Sequence, residues 1–387
     1  MSAKTISYKR VIPVFMTFFV MSFCDIVGIS VDRVKLDLQL SNSLAQLIPM
    51  AVFFWFFFLS VPTGILQDKY GKKNVLNFGI FITLLGLVVP YFFYTYIMVI
   101  FGFALLGIGN TIVQVSANPL LIDVIPSDRK SSLLSLSQFI KALGSIIAAP
   151  LAGWLASQYG DWKLIFIVFG TTSLLSMLWL GSVPINESRN IEKRASILSS
   201  FGLLKNSFIA IMVLCIFLVV GIDVGVNSVS GQFFLEKFNS KQVLAESGRS
   251  LFFLGKMLGT FLGAILLLRL PSKSFFIGSS LLGTVALLSF SFAPSEGVAL
   301  VVLFIIGIGI ANIFPLAFSL AVDRLPERTN EISGLMIMAI SGGAVLPPFM
   351  GWISDVAGVM TSSFFLVAAC AIILVVSLQI RNKKVTK

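Results

Sequence analysis

The sequence predicts an all-α polytopic membrane protein with twelve transmembrane helices in two six-helix pseudo-repeats. Three observations carry this reading. First, 57% of the 387 residues are hydrophobic, 12% are charged and mean hydropathy is +0.98. A soluble domain carries about a quarter charged residues. Second, apolar runs of about 20 residues recur along the chain, the length of a bilayer-spanning helix. Third, a shift of 198 residues maps Asp25 onto Asp223, Gly144 onto Gly342 and Pro150 onto Pro348, and Gly153 and Trp154 onto Gly351 and Trp352. "PLAGWLASQYG" thereby aligns with "PFMGWISDVAG".

Taken in order, the predicted spans are 11–33, 44–67, 75–95, 97–121, 131–157, 162–183, 207–229, 249–269, 274–293, 297–320, 331–353 and 360–380. The preceding "MSAKTISYKR" is short and basic, with no small-residue cleavage site after a short apolar core, so span one reads as retained. Span one carries Asp25, and span two carries Trp55 and runs into the polar loop "GILQDKYGKK". Span four places Asn110, Gln114 and Asn118 four residues apart, on one helical face. Span five puts Gln138, Lys141 and Ser145 on one face. After span six comes "NESRNIEKRAS", the longest polar stretch away from the termini. It sets 1–185 as an N-terminal half, 186–206 as a cytoplasmic linker and 207–387 as a C-terminal half. Span seven pairs Asp223 with Asn227 on one face, span eight pairs Lys256 with Thr260, and span ten opens "NIFPLAFSLA" at Asn312.

The net charge is +11, and its distribution argues for membrane orientation rather than nucleic acid. Of the 28 lysines and arginines, 20 fall on the side that holds both termini, six on the other, and Lys141 and Lys256 inside spans. Basic residues concentrate on the cytoplasmic side of membrane proteins, so both termini are expected there, in a plasma (bacterial inner) membrane. Histidine is absent, and Cys24, Cys215 and Cys370 all lie in apolar runs. No imidazole-dependent triad, metal cluster or nucleophile–base motif is in sight. The expectation is therefore a monomeric non-enzyme without cofactor or metal.

Polar stripes inside a bilayer must face a protein interior or a water-filled cavity, because lipid cannot satisfy them. The amides are candidates either for ligand contact or for hydrogen-bonded glue between helices. Lys141 lies 11 residues past Lys130. At ~1.5 Å per residue that is roughly 16 Å deep, beyond the reach of a snorkelling lysine stem. Asp25 and Asp223 balance Lys141 and Lys256, and chain order makes Asp25–Lys141 and Asp223–Lys256 the natural pairs. Three roles stay open for Lys141: releasing Asp25 in one state, recognising a substrate carboxylate, or a purely structural charge.

"GILQDKYGKK", with Gly64, Asp68, Lys69, Gly71 and Lys72, resembles the signature loop of the major facilitator superfamily. "SFCDIVGIS", "QVSANPL", "LSQFIKALG", "VGIDVGVNS", "NIFPLAFSLA" and "SGLMIMAISGGAVLPPFMGWISD" resemble its fucose/galactose/glucose:proton symporter family over nearly the whole chain. The resemblance implies a secondary active transporter that takes up a sugar or sugar derivative with a coupled proton by alternating access. It implies proton coupling at Asp25 and Asp223, and a substrate site among Asn110, Gln114, Asn118, Gln138, Lys141, Asn227, Lys256 and Asn312. The alternatives are sodium coupling, or a carrier or exporter of an organic anion such as an acidic sugar. The sequence departs from the family in having Gln114 where a glutamate is common, Lys141 where an asparagine is usual, and Thr260 where a basic residue is frequent.

Overall fold

In the computed structural model, which describes residues 8–40, 44, 47–187, 196–240 and 242–379, the first predicted span is broken. Helix α1 (Tyr8–Met21) ends in a 3-10 turn (Ser22–Ile26) before α2 (Val27–Asp37) begins. Local causes converge there. Ser22 Oγ donates to Phe19 O at 2.6 Å, and Asn110 Nδ2 takes the Met21 carbonyl at 2.7 Å. Gly144 lies so close that a Cβ there would overlap the Ser22 side chain. A 3-10 segment within a membrane helix re-aims side chains, and here it turns Asp25 out of the core.

The chain continues through α3 (Leu47–Tyr70) and α4 (Lys72–Phe92), joined by Gly71 alone. Its φ of 88° lies in the left-handed region that glycine adopts without strain, which allows the reversal in one residue. Helices α5 (Tyr96–Val124), α6 (Lys130–Tyr159) and α7 (Leu164–Ser182) follow. A short α8 (Ile197–Gly202) starts at a reciprocal Ser196–Ser199 capping box. It lies in the expected 186–206 linker, of which 188–195 fall outside the described residues. Then come α9 (Ser207–Phe238), α10 (Gln242–Leu266), α11 (Ser272–Ser291), α12 (Glu296–Ile310), α13 (Ile313–Arg324), α14 (Thr329–Met338), α15 (Gly342–Ala357) and α16 (Val359–Gln379). No strand occurs among the described residues.

Among the described residues, eleven helical segments are long and apolar enough to cross a membrane. The expected span one is not among them, because its break leaves pieces of 14 and 11 residues. The chain forms two compact units, Met1–Ala210 with Ala321–Ser341, and Ile211–Leu320 with Gly342–Lys387. In the first, α4 and α5 meet across glycines: a Cβ on Gly86 would sit 2.7 Å from Gly102 O. Phe23 stacks on Phe169 with ring centroids 4.0 Å apart. In the second, α10 and α12 meet likewise, with a Cβ on Gly259 falling 2.8 Å from Ile308 Cα. Lipid offers no hydrophobic drive between helices, so such small-residue contacts supply the packing. Outward-facing phenylalanines such as Phe54, Phe57 and Phe58 stay exposed, as lipid-facing positions require.

Candidate substrate and coupling site

In the first unit the break in span one organises the polar residues. Asp25 is exposed and accepts a short hydrogen bond from Ser145 Oγ on α6. Lys141 lies one turn earlier on the same face, half-buried. The Asp25–Lys141 ion pair anticipated from chain order does not form: no carboxylate among the described residues reaches Lys141 as an ion-pair partner. The reason is register. The contact of Gly144 with Ser22 puts the turn holding Ser145, not Lys141, opposite the carboxylate. Both charges still lie within electrostatic reach of the buried Cys24 thiol. Gln138 is half-buried three residues before Lys141, with no protein hydrogen bond among the described residues.

The amides of α5 are tied into the protein. Asn110 is fully buried, and besides its bond to Met21 O its Oδ1 accepts from Gln114 Nε2 at 2.7 Å. Asn118 Nδ2 donates to Gln114 O at 3.1 Å, and its buried Oδ1 has no partner among the described residues. Asn110 therefore ties α5 to the helix break, and Gln114 bonds to Asn110 within α5.

In the second unit Lys256 Nζ donates to both oxygens of Asp223, 2.7 Å to each, so the pair expected there does form. The ammonium also lies 5.9 and 5.8 Å from the ring centroids of Phe252 and Phe253. Thr260 Oγ1 turns back onto its own helix, donating to Lys256 O and Met257 O. Asn312 is buried at the joint between α12 and α13, and its Nδ2 donates to Gly259 O at 2.7 Å while its Oδ1 has no partner among the described residues. Under the 198-residue shift Asn312 is the mate of Gln114, but Asn312 bonds to another helix whereas Gln114 bonds within its own. The side chain of Asn227 lies outside the described residues, as does that of Trp352.

The signature loop closes a separate network inside the first unit. A Cβ on Gly64 would lie 2.6 Å from Asn330 O, so only glycine lets α3 and α14 approach this closely. Asp68 Oδ1 accepts from Asn330 Nδ2 at 2.6 Å. Ser333 Oγ reaches Val115 O at 2.6 Å, drawing α14 onto α5. Lys69 lies over the Tyr70 ring, 4.9 Å from its centroid. Lys72 is buried in an ion pair with Asp123, 2.6 Å apart. Glu187 accepts from the backbone N–H of Lys72 at 2.6 Å and of Lys73 at 3.1 Å, which places a carboxylate on the positive end of the α4 dipole. Arg328 pairs with Glu331, and Glu331 accepts from Ser199 Oγ at 2.7 Å, fastening α8 to α14. The partners Asp123, Glu187, Asn330 and Glu331 were not singled out from sequence. The isolated acid in "NPLLID" was the one available signal, for Asp123.

The family model of the Major Facilitator Superfamily matches residues 14–346 and again residues 212–386. The chain belongs to the major facilitator superfamily. The two matches begin 198 residues apart, the same offset that aligns Asp25 with Asp223. Within the superfamily, the chain is 26% identical over 369 residues to a glucose/galactose transporter of Brucella abortus, covering 88% of this chain and 87% of that one. It is 22% identical over 384 residues to the L-fucose-proton symporter of Escherichia coli, covering 90% and 87%. A crystal structure of the E. coli fucose:proton symporter superposes with a TM-score of 0.84 at 20% identity, covering 96% of this chain and 98% of that one, and so shares the fold. A superfamily member with eleven apolar spans is a polytopic membrane protein of a transporter family. No cluster of three or more metal-ligating side chains occurs among the described residues.

Proposed function

We propose that this chain is a secondary active transporter that takes up a sugar or sugar derivative together with a proton. The observation that carries the reading is Asp25. It is an exposed carboxylate in a helix break of an apolar span, bound by one hydroxyl and, among the described residues, by no cation within ion-pair distance. A carboxylate without an ion-pair partner can bind and release a proton without breaking an ion pair first. The sugar transporters and sugar–proton symporters among its relatives support the substrate class and the coupling ion. Asp223, neutralised by Lys256, is the second coupling candidate. Gln138, Lys141, Asn118 and Asn312 are the substrate-contact candidates, since each has a polar atom without a protein partner or stands half-exposed. Asn110 and Gln114 move to a bracing role. The chain works as a monomer in a bacterial inner membrane with both termini in the cytoplasm. Residues 1–185 and 207–387 are its two repeats, and 186–206 the linker.

The test is uptake into proteoliposomes under an imposed pH gradient. Asp25→Asn is expected to abolish gradient-driven accumulation while retaining exchange of substrate at equal concentrations. Accumulation driven by a sodium gradient and indifferent to pH would sink the proton assignment.

A further inference from the structure

Two lysines stand inside the spans, and only one is neutralised in place. Lys256 is chelated by both oxygens of Asp223. Lys141 has no carboxylate within ion-pair distance among the described residues, and Asp25 is engaged by Ser145, one turn along the same helix. The elements packed against α6 are α1, the 3-10 turn Ser22–Ile26, α7, α5 and the 3-10 turn Ser127–Arg129 at its own start, whose Asp128 and Arg129 pair with each other. They bring few other titratable groups. On α1 these are Tyr8, Lys9 and Arg10 at its start, and α7 has none. The Ser22–Ile26 turn adds the Cys24 thiol, and α5 adds Tyr96 at its start and Asp123, which is paired with Lys72. Asp25 and Lys141 are therefore the charges that count at this depth in the first unit.

Consider the charge of that pair through a transport cycle. The empty carrier holds one negative and one positive charge, which sum to zero. When Asp25 takes a proton the sum becomes plus one. A neutral sugar leaves it there, and a net charge carried across the apolar bilayer is costly. A substrate with one carboxylate brings the sum back to zero. The structure also leaves hydrogen-bonding capacity for it. Among the described residues the Lys141 ammonium has no hydrogen-bond acceptor, and Gln138, three residues earlier on the same face, is half-buried without a protein hydrogen bond.

We propose that the substrate is a sugar acid whose carboxylate binds Lys141 beside Gln138, so that proton and anion cross together without net charge. This rests on the proton-symport reading above. In each cycle one proton moves from one aqueous side onto Asp25 and leaves on the other side with the anion, and no covalent bond of the substrate is made or broken.

The experiment uses the full-length protein in proteoliposomes with six probes: D-glucuronate, D-galacturonate and D-gluconate against D-glucose, D-galactose and L-fucose. We expect at least one acid to accumulate on an inward proton gradient. Its initial rate should change less than about twofold when potassium and valinomycin impose a membrane potential of either sign. Lys141→Asn, which should preserve the fold by leaving a smaller polar group on an unpaired position, is expected to lower apparent affinity for the acid about tenfold to a hundredfold, the worth of a charge-assisted hydrogen bond. Proton-driven uptake of a neutral sugar in preference to its acid, blocked in Asp25→Asn, overturns the anion assignment and leaves the symport reading standing. Uptake of an acid that needs Lys141 but ignores the pH gradient overturns symport and electroneutrality together, leaving only anion binding. Uptake of none of the six overturns both.

Discussion

Lys256 closes on Asp223 with its ammonium donating to both carboxylate oxygens, 2.7 Å to each, while the corresponding acid of the first repeat, Asp25, is held by the hydroxyl of Ser145. The two repeats thus place an aspartate at the same position and treat it differently. One is locked to a cation and the other is held by a hydroxyl.

The lock predicts a coupling energy. Both side chains are about a quarter exposed, so solvent screens the pair in part. Breaking it should cost less than the ~3–5 kcal/mol of a fully buried pair. We expect Lys256→Met or Asp223→Asn alone to lower unfolding stability in detergent by about 1–3 kcal/mol. The double substitution should recover most of that loss, since it leaves no stranded charge. Additive losses in this double-mutant cycle would show that the two side chains are not energetically coupled.

How much of this was legible beforehand follows from the range of each interaction. The helices were, because a run of about 20 apolar residues needs no partner to declare itself. The Asp223–Lys256 pair was, because few intramembrane charges leave few ways to balance them. The Asp25–Lys141 pair failed on a local matter. Ser145 shares the face of Lys141, and the approach of Gly144 to Ser22 chooses between them. The break at Ser22–Ile26 was also hidden, since its stabilising donor, Asn110, lies 89 residues away. The signature loop could be read as a motif, but Asp68 meets Asn330 across 262 residues, a pairing that no local pattern encodes.

The break gives the second prediction. Asn110→Leu strips the Met21 carbonyl of its donor and Gln114 of its acceptor, all in a buried site. Leaving a buried polar group unpaired costs about 1–3 kcal/mol. We expect that loss in thermal unfolding, with transport of every accepted substrate reduced in similar proportion. A selective change for one sugar over another, at unchanged stability, would restore Asn110 to the substrate contacts.

The signature network gives the third. Gly64→Ala drives a Cβ toward Asn330 O, now 2.6 Å from that position, and both partners are backbone. The helices must part. Asn330→Ala removes the amide that donates to Asp68 without adding bulk. We expect both variants to lower stability, with Gly64→Ala the more severe, and Asn330→Ala to cost about 1–2 kcal/mol for a hydrogen bond to a carboxylate that is partly screened. An unchanged melting temperature for Gly64→Ala would mean that α3 and α14 are not held at this distance.

A fourth prediction concerns pH and lies outside the membrane spans. Tyr94, in the loop between α4 and α5, donates from its hydroxyl to Asp37 Oδ2 at 2.8 Å, and Trp162 Nε1 donates to the same oxygen at 2.9 Å. Burial first, then the hydrogen bond and charge of Asp37, push the Tyr94 hydroxyl above its ordinary value of 10.0. A folded-state value above the unfolded one means the folded chain keeps a proton that the unfolded chain gives up. The stability this contributes is complete below about pH 10 and is lost as pH rises past it toward the folded value. Tyr94→Phe loses the hydrogen bond and should be less stable at pH 8, by about 0.5–1.5 kcal/mol. The variant should then close the gap on the wild type as pH is raised above 10, because it has no phenol to ionise. Unfolding midpoints of both proteins from pH 8 to 12 check this. Parallel curves across that range would show that Tyr94 titrates alike in the folded and unfolded chain, and that Asp37 does not hold it.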